Sequence, residues 1–265
     1  LSAANHTPAF KVSSSKKSNT SKFAESYKTF WFNVAEQALE EGGGANKSTS
    51  AASSTSARLD VELVKSLLAR VTELVGVGQP DIRYASSLAA FSMSRAVLTK
   101  VVTLNAKLEI AARQAQAAKG ERLTALKAQV DSLKRVISSL EEVVTGPVFS
   151  VVFMHRYRDS NEHIRALCLE SLSQSMILCP TIFLQDAYLK YFGWLLHDNS
   201  SVVRIAAICG LNLPFETAEN SQQAEGESKL DLSKMENVTS KFMKRIADCT
   251  IDVSPAVQPH AMSLL

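Results

Sequence analysis

VFSVVFMHRYRDSNEHIRALCLESLSQSMILCPTIFLQDAYLKYFGWLLHDNSSVVRIAAICGL, residues 148–211, is the stretch whose reading decides the fold. Asp159 is followed six positions later by Arg165, with Ile164 just before it. Asp198 is followed six positions later by Arg204, with Val203 just before it. The offset is 39 residues (198 − 159 and 204 − 165). An internal period near 40, with apolar runs of helical length between the marks, is the signature of HEAT-type helical repeats. Each Asp stands where one helix has ended and is placed to accept backbone N–H bonds from the next. The Arg one turn further in is placed to reach that Asp or a neighbouring repeat, tying successive layers together. Two unrelated surface salt bridges would supply the same pairs, but not the apolar residues that repeat around them.

The marks recur more weakly on both sides. Ile82-Arg83 precedes Tyr84-Ala85, much as Ile164-Arg165 precedes Ala166. Asp252 is followed six residues later by Gln258 after Val257, so Gln stands where Arg stood. The pattern predicts about four repeats with insertions between the first and second and between the third and fourth.

One insertion carries its own signal. Val97, Val101, Leu104, Leu108, Ala111, Ala115 and Ala118 step by alternating fours and threes. After Lys119-Gly120 the pattern resumes at Leu123, Leu126, Val130, Leu133, Ile137, Leu140 and Val144. Two heptad arms around a central Gly predict a long antiparallel helical hairpin with a coiled-coil seam. One continuous helix through Gly120 is the alternative, and it leaves a long apolar stripe uncovered. Gly146-Pro147 is expected to end the hairpin. Further helices are expected around 148–158, 161–178, 181–197 and 201–213, with breaks at Asp159, Pro180, Asp198 and Pro214, and another over Lys234–Cys249.

Upstream, residues 1–22 carry Lys11, Lys16, Lys17 and Lys22 with no acid and read as a disordered basic arm, either phosphate-contacting or merely solubilising. Phe23, Tyr27, Phe30, Trp31, Val34 and Leu39 form a stripe at helical spacing, expected as a docking face. Glu40–Ser56 reads as a flexible linker, and Leu59–Val75 as an amphipathic helix stopped by Gly76, Gly78 and Pro80. Glu216–Glu227 reads as a polar loop. The division expected is 1–57 (basic arm, aromatic helix, linker) and 58–265 (repeat array), the latter with the hairpin at 81–145 and the central stretch at 146–235.

Composition narrows the function classes. Apolar residues make up 46% of the 265, enough for a sizeable core. Cys168, Cys179, Cys209 and Cys249 lie far apart inside apolar runs, which points to buried structural thiols in a reducing compartment and away from metal or redox use. No run of 18 uninterrupted apolar residues occurs, so no membrane span is expected. The first residue is Leu, so a piece of a longer chain is expected. Gly-rich phosphate loops, HExxH and GxSxG are absent. His155, His163 and His197 lack partners at ligand spacing. No enzyme chemistry, metal or cofactor is expected.

Two surfaces remain. Between Arg95 and Arg135 nine basic residues face three acids (Glu109, Glu121, Asp131), a local excess of +6 against +3 for the whole chain. Lys100, Lys107, Arg113, Lys119, Arg122, Lys127, Lys134 and Arg135 are the candidates for sequence-independent phosphate contact; a solvated coiled-coil face is the plain alternative. Asp186, Lys190, Trp194 and His197 fall at steps of four, four and three and share one face, with Tyr191 adjoining. A mixed aromatic and charged face suits a peptide-binding hot spot; Trp194 packed between repeats is the alternative.

HRYRD, the following IRALC, the DAYLKYFGW run, the HD and the VR closely resemble the stromal antigen (stromalin) subunit of cohesin. The resemblance runs from about Asp81 to Leu265 and, more loosely, over Tyr27–Glu36. It implies an all-α fold, a HEAT-repeat α-solenoid with a long protruding antiparallel helical hairpin, and a non-catalytic, nuclear, chromosome-bound role in sister-chromatid cohesion. It implies DNA contact by the basic residues above. It also implies a groove lined by Asp186, Leu189, Lys190, Tyr191, Trp194, Lys241 and Phe242 that receives short aromatic motifs of regulatory proteins such as shugoshin, with part of the kleisin subunit nearby. Lys241 stands where the family often has Arg, and Val238 where a bulky aromatic is usual. A HEAT-repeat protein scaffold without a nucleic-acid role is the competing reading.

Overall fold

The stripe that alternates fours and threes folds as its spacing predicts. In a computed structural model, which describes residues 17–40, 61–221 and 232–265, Pro80–Ala117 (α3) and Glu121–Val143 (α4) are helices joined by a three-residue turn. Val97, Val101, Leu104, Ala111, Ile137, Leu140 and Val144 are buried. Leu108, Ala115, Leu123, Leu126, Val130 and Leu133 are half-buried, with exposed residues between them. At 1.5 Å per residue α3 is about 57 Å long. From 105 to 136 Ala111 alone is fully buried, so in this part the two helices cover little but each other. Gly120 turns the chain at φ 64° and ψ −142°, a conformation that a Cβ makes costly.

The chain divides into two compact units, Leu1–Val152 and Phe153–Leu265. In the first, Lys17–Ala38 (α1) and Val61–Val75 (α2) pack on α3. The α3 run Ser86–Ser94 is buried all round, and small side chains make that possible. Its hydroxyls return to the helix itself: Ser87 Oγ donates to Arg83 O (2.6 Å) and Ser92 Oγ to Leu88 O (2.7 Å). Helix α1 begins at Lys17, inside the segment expected to be a disordered arm. Ala35 is buried, and so is Leu39 of the predicted stripe just past the helix end, while Phe23 and Phe30 of that stripe are 57% and 56% exposed. Phe32, outside that stripe, lies under the Arg95 guanidinium at 5.8 Å. The rest of the basic arm, the linker and the end of the acidic loop lie outside the described residues.

Gly146-Pro147 does not stop the chain. Val144–Phe153 goes on in wide π-type turns, with Ser150 Oγ donating to Thr145 O five residues back (2.9 Å). Wider turns make room for the proline ring and tolerate its missing N–H donor. Pro214, expected as a break, is likewise buried inside Ser201–Ser221 (α9), which includes the first residues of the predicted polar loop. By length and composition alone, Pro80–Ala117 and Glu121–Arg156 would suffice to cross a membrane; 72% of the apolar window of the first is buried within the protein.

In the second unit Met154–Arg156 (α5), Glu162–Leu178 (α6), Pro180–Phe183 (α7), Asp186–Leu195 (α8), α9, Ser233–Cys249 (α10) and Gln258–Leu264 (α11) follow in order. The Asp–Arg marks form a ladder. Asp159, Asp198 and Asp252 each accept, through Oδ1, the N–H two residues on (Asn161, Ser200, Ser254), all at 2.8 Å. Arg165 Nη1 donates to Asp159 O and Arg204 Nη1 to Asp198 O, both at 2.8 Å. The remaining nitrogens cross to the next rung. Arg165 Nε and Nη2 hold Asp198 at 2.8 and 2.7 Å, and Arg204 Nε and Nη2 hold Asp252 at 2.8 and 2.5 Å. Gln258 makes the inner bond alone, Nε2 to Asp252 O at 2.9 Å. In the first unit Arg83 Nη1 makes that inner bond too, to Val77 O six residues back (3.2 Å) and Gly78 O (2.7 Å). The fold is all-α and built of HEAT-type repeats, as the 39-residue offset predicts. Of the four cysteines Cys209 departs from expectation: it is exposed, its Sγ 3.5 Å from His260 Nδ1.

Candidate functional site

Helix α8 places the aromatic face. Trp194 is 49% exposed, so its indole is not taken into the core. Tyr191, one turn earlier, is buried beneath it with ring centroids 5.3 Å apart, edge on. Tyr191 meets Phe153 at 5.0 Å and Tyr157 at 4.9 Å, and its hydroxyl donates to Met154 Sδ at 3.0 Å. Burial pushes the Tyr191 phenol up, so it stays a neutral donor. Phe153 and Tyr157 stack on each other at 5.7 Å and both meet Tyr191 edge on, so four rings form one array with Trp194 at its outer end.

Cations lie on this array. Lys190 Nζ is 5.2 Å from the Tyr191 ring and 5.5 Å from the Trp194 ring; Arg158 stands 4.8 Å over Tyr157 and also donates to its hydroxyl. Each such contact is worth roughly 0.5–1 kcal/mol when exposed. A half-wet indole beside an ammonium group, with a guanidinium further along the array over Tyr157, suits a guest with an aromatic ring and a carboxylate.

Helix α10 supplies the other side. Lys241 Nζ pairs with Asp186 Oδ2 at 3.2 Å, both more than half exposed, so the pair contributes little to stability. Arg245 Nε and Nη2 donate to Leu196 O at 3.1 and 2.9 Å, which fastens α10 to the C-terminal end of α8. The Phe242 ring lies against Gly193.

Of the seven residues predicted to line the groove, Asp186, Trp194 and Lys241 are exposed and Lys190 and Phe242 half-buried. Leu189 (0% exposed) and Tyr191 (3%) lie under the face and support it. His197, on the predicted shared face, is exposed in the turn after α8. Sequence reasoning gave no site role to Tyr157, Arg158 or Met154. The only signal was that HRYRD ends on the first Asp mark, and nothing in spacing alone folds it onto YLKYFGW.

In the hairpin, seven of the eight predicted phosphate-contacting residues are exposed, and Lys100, nearest the packed end, is half-buried. Arg113 pairs with Glu109 at 3.3 Å, and Arg135 Nε donates to Asp131 O at 3.2 Å. Both are surface contacts that phosphate can replace at small cost. Among the described residues no group of three or more His, Cys, Asp and Glu side chains is placed to hold a metal.

Comparison with known proteins gives the same relation as the sequence motifs. The stromalin conservative domain family matches residues 158–226, a span that holds Arg158, all of α8 and the first two rungs of the ladder. The rat cohesin subunit SA-3 is 30% identical over 208 residues, 74% of this chain and 15% of that protein. Sister-chromatid cohesion protein 3 of Arabidopsis thaliana is 29% identical over 188 residues, 69% of this chain and 16% of that protein. The cohesin subunit Scc3 from Z. rouxii, a solved structure, superposes with a TM-score of 0.68 at 22% identity over 92% of this chain and 25% of that one. The last likeness shows the fold. The chain is similar to stromal antigen and Scc3 subunits of cohesin, and it spans about one-sixth of the length of the curated relatives it matches.

Proposed function

We propose that this chain acts as the corresponding part of a stromal antigen subunit of cohesin, a non-catalytic, chromosome-bound nuclear protein that supports sister-chromatid cohesion. Its task is binding. The Trp194 face takes short peptide motifs of regulatory proteins, in the neighbourhood of the kleisin subunit, and the basic hairpin holds duplex DNA without reading its sequence. The observation that carries this reading is Trp194: a large aromatic left half in water, beside Lys190, on a helix inside the stromalin-matching stretch. An indole at the surface costs solvation unless a partner covers it. The hairpin's +6 excess, on side chains that are nearly all exposed, supports the DNA half.

The peptide half is tested with fluorescein-labelled peptides of about a dozen residues carrying one Phe or Tyr flanked by Asp and Glu. Trp194→Ala is expected to weaken binding at least 30-fold, the loss of about 2 kcal/mol typical of a hot-spot residue. Tyr191→Ala is the poorer probe, because emptying a buried aromatic site costs about 3–5 kcal/mol of stability. Equal affinity of the Trp194→Ala variant and the parent would reject the face as the binding site.

A further inference from the structure

Phe192 and Gly193 are consecutive on α8 and look to different neighbours. The Phe192 ring fills the place that a Cβ on Gly210 of α9 would need. The Phe242 ring of α10 fills the place that a Cβ on Gly193 would need; Cζ, Cε1 and Cε2 would all fall inside carbon–carbon contact distance. Two ring-into-glycine seats, at the two residues just before Trp194, therefore fix α8 against α9 and against α10. Gly193 needs no special backbone angle, since Gly120 alone has positive φ among the described glycines. The lack of a side chain at 193 is explained by the ring.

We infer that Gly193 is a positioning residue for the Trp194 face: by seating Phe242 it sets the approach of α10 to α8, and so the place of Lys241 opposite Asp186 and the surroundings of the indole. The physical step is short. To regain the roughly 3.5 Å spacing of touching carbons, the ring must retreat by more than about 1 Å when a methyl group is placed at 193. Phe242 adjoins Lys241, and Arg245 one turn on is tied to Leu196 O. The displacement thus falls on the segment that carries the ion pair. Gly210 offers a natural comparison, because the ring seated on it belongs to α8 itself and not to α10.

The inference rests on the peptide-binding reading for one arm of its test only. Trp31 and Trp194 are the two tryptophans, so Trp31→Phe leaves Trp194 as the sole reporter. In that background Gly193→Ala is expected to change the Trp194 emission maximum and its quenching by acrylamide, and adding Phe242→Leu is expected to restore both. Gly210→Ala is expected to lower the melting temperature comparably and to leave Trp194 emission and quenching as they were. With the acidic–aromatic peptide, Gly193→Ala is expected to lose at least tenfold in affinity and Gly210→Ala less than twofold. Unchanged Trp194 emission and quenching in Gly193→Ala would overturn the inference. So would equal affinity losses in the two glycine variants, which would make the effect one of stability alone. If the parent protein binds no such peptide, the peptide reading falls and the emission and quenching arm still decides the role of Gly193.

Discussion

Replacing Asp252 by Ala takes away the carboxylate that Arg204 grips through two nitrogens and that also accepts the Ser254 N–H. The Arg204 and Asp252 side chains are only 10% and 5% exposed, so water cannot step in. Arg204 Nη1 keeps its two carbonyls, Asp198 O and Asn199 O, but Nε and Nη2 lose their partner. Breaking a buried pair from one side costs about 3–5 kcal/mol, and the lost turn bond adds about 1 kcal/mol. Against a total stability of about 5–15 kcal/mol this is severe. With a urea slope of about 2 kcal/mol per molar, the unfolding midpoint read from Trp194 emission in the Trp31→Phe background should fall by about 2 M. The double variant Arg204→Met with Asp252→Leu leaves neither charge stranded and should recover at least half of that loss. A midpoint for Asp252→Ala within about 0.3 M of the parent, or a double variant as weak as the sum of the two single ones, would refute the ladder as a buried joint.

Three more outcomes follow from the same geometry. Changing Lys119, Arg122 and Lys127 to Glu should reduce the slope of log affinity for random duplex DNA against log salt by about 3, since each phosphate contact contributes about 0.9; an unaltered slope in a filter-binding assay would leave the hairpin a solvated coiled coil and favour the protein-scaffold reading. Hydrogen bonds from Arg204 hold the Asp252 carboxyl below the ordinary carboxylate value. A depressed carboxylate stabilises the fold above its unfolded pKa of about 3.9 and loses that contribution as pH falls through the lower folded value. The urea midpoint of the parent should therefore drop more steeply below about pH 4 than that of Asp252→Asn. Gly120→Ala meets no neighbour within 4 Å, so its cost is backbone strain alone, about 1–3 kcal/mol. It should appear as faster hydrogen exchange at Leu123 and Thr124, whose N–H groups donate to Gly120 O at 3.1 and 3.4 Å.

What the sequence disclosed and what it withheld divide along physical lines. The hairpin seam was legible because Leu, Val and Ala recur at threes and fours in arms otherwise polar, and a two-helix seam imposes that period directly. The ladder was legible because the Asp turn and the Arg reach are local motifs repeated at one offset. The prolines misled. Pro147 and Pro214 read as stops, yet Val144–Phe153 absorbs one by widening its turns and α9 carries the other inside a continuous helix. Local propensity was outweighed there by the surrounding structure. On the candidate face, helical spacing placed Asp186, Lys190 and Trp194 together, but it did not show that Tyr191 lies beneath them. That depth depends on Phe153 and Tyr157, more than thirty positions earlier. The partnership of Gly193 with Phe242 depends on a residue 49 positions later and leaves no mark in periodicity.

The two duties of the ladder arginine are carried by different nitrogens. Nη1 closes the turn within its own repeat, while Nε and Nη2 clasp the acid of the following one. Gln258 shows that an amide performs the first duty without the second. Stiffness between adjoining repeats is therefore separable from the turn of each: exchanging a guanidinium for a carboxamide, and the acid it clasps for its own amide, would strand no charge, leave every turn its acceptor and convert a rigid joint into a hinge.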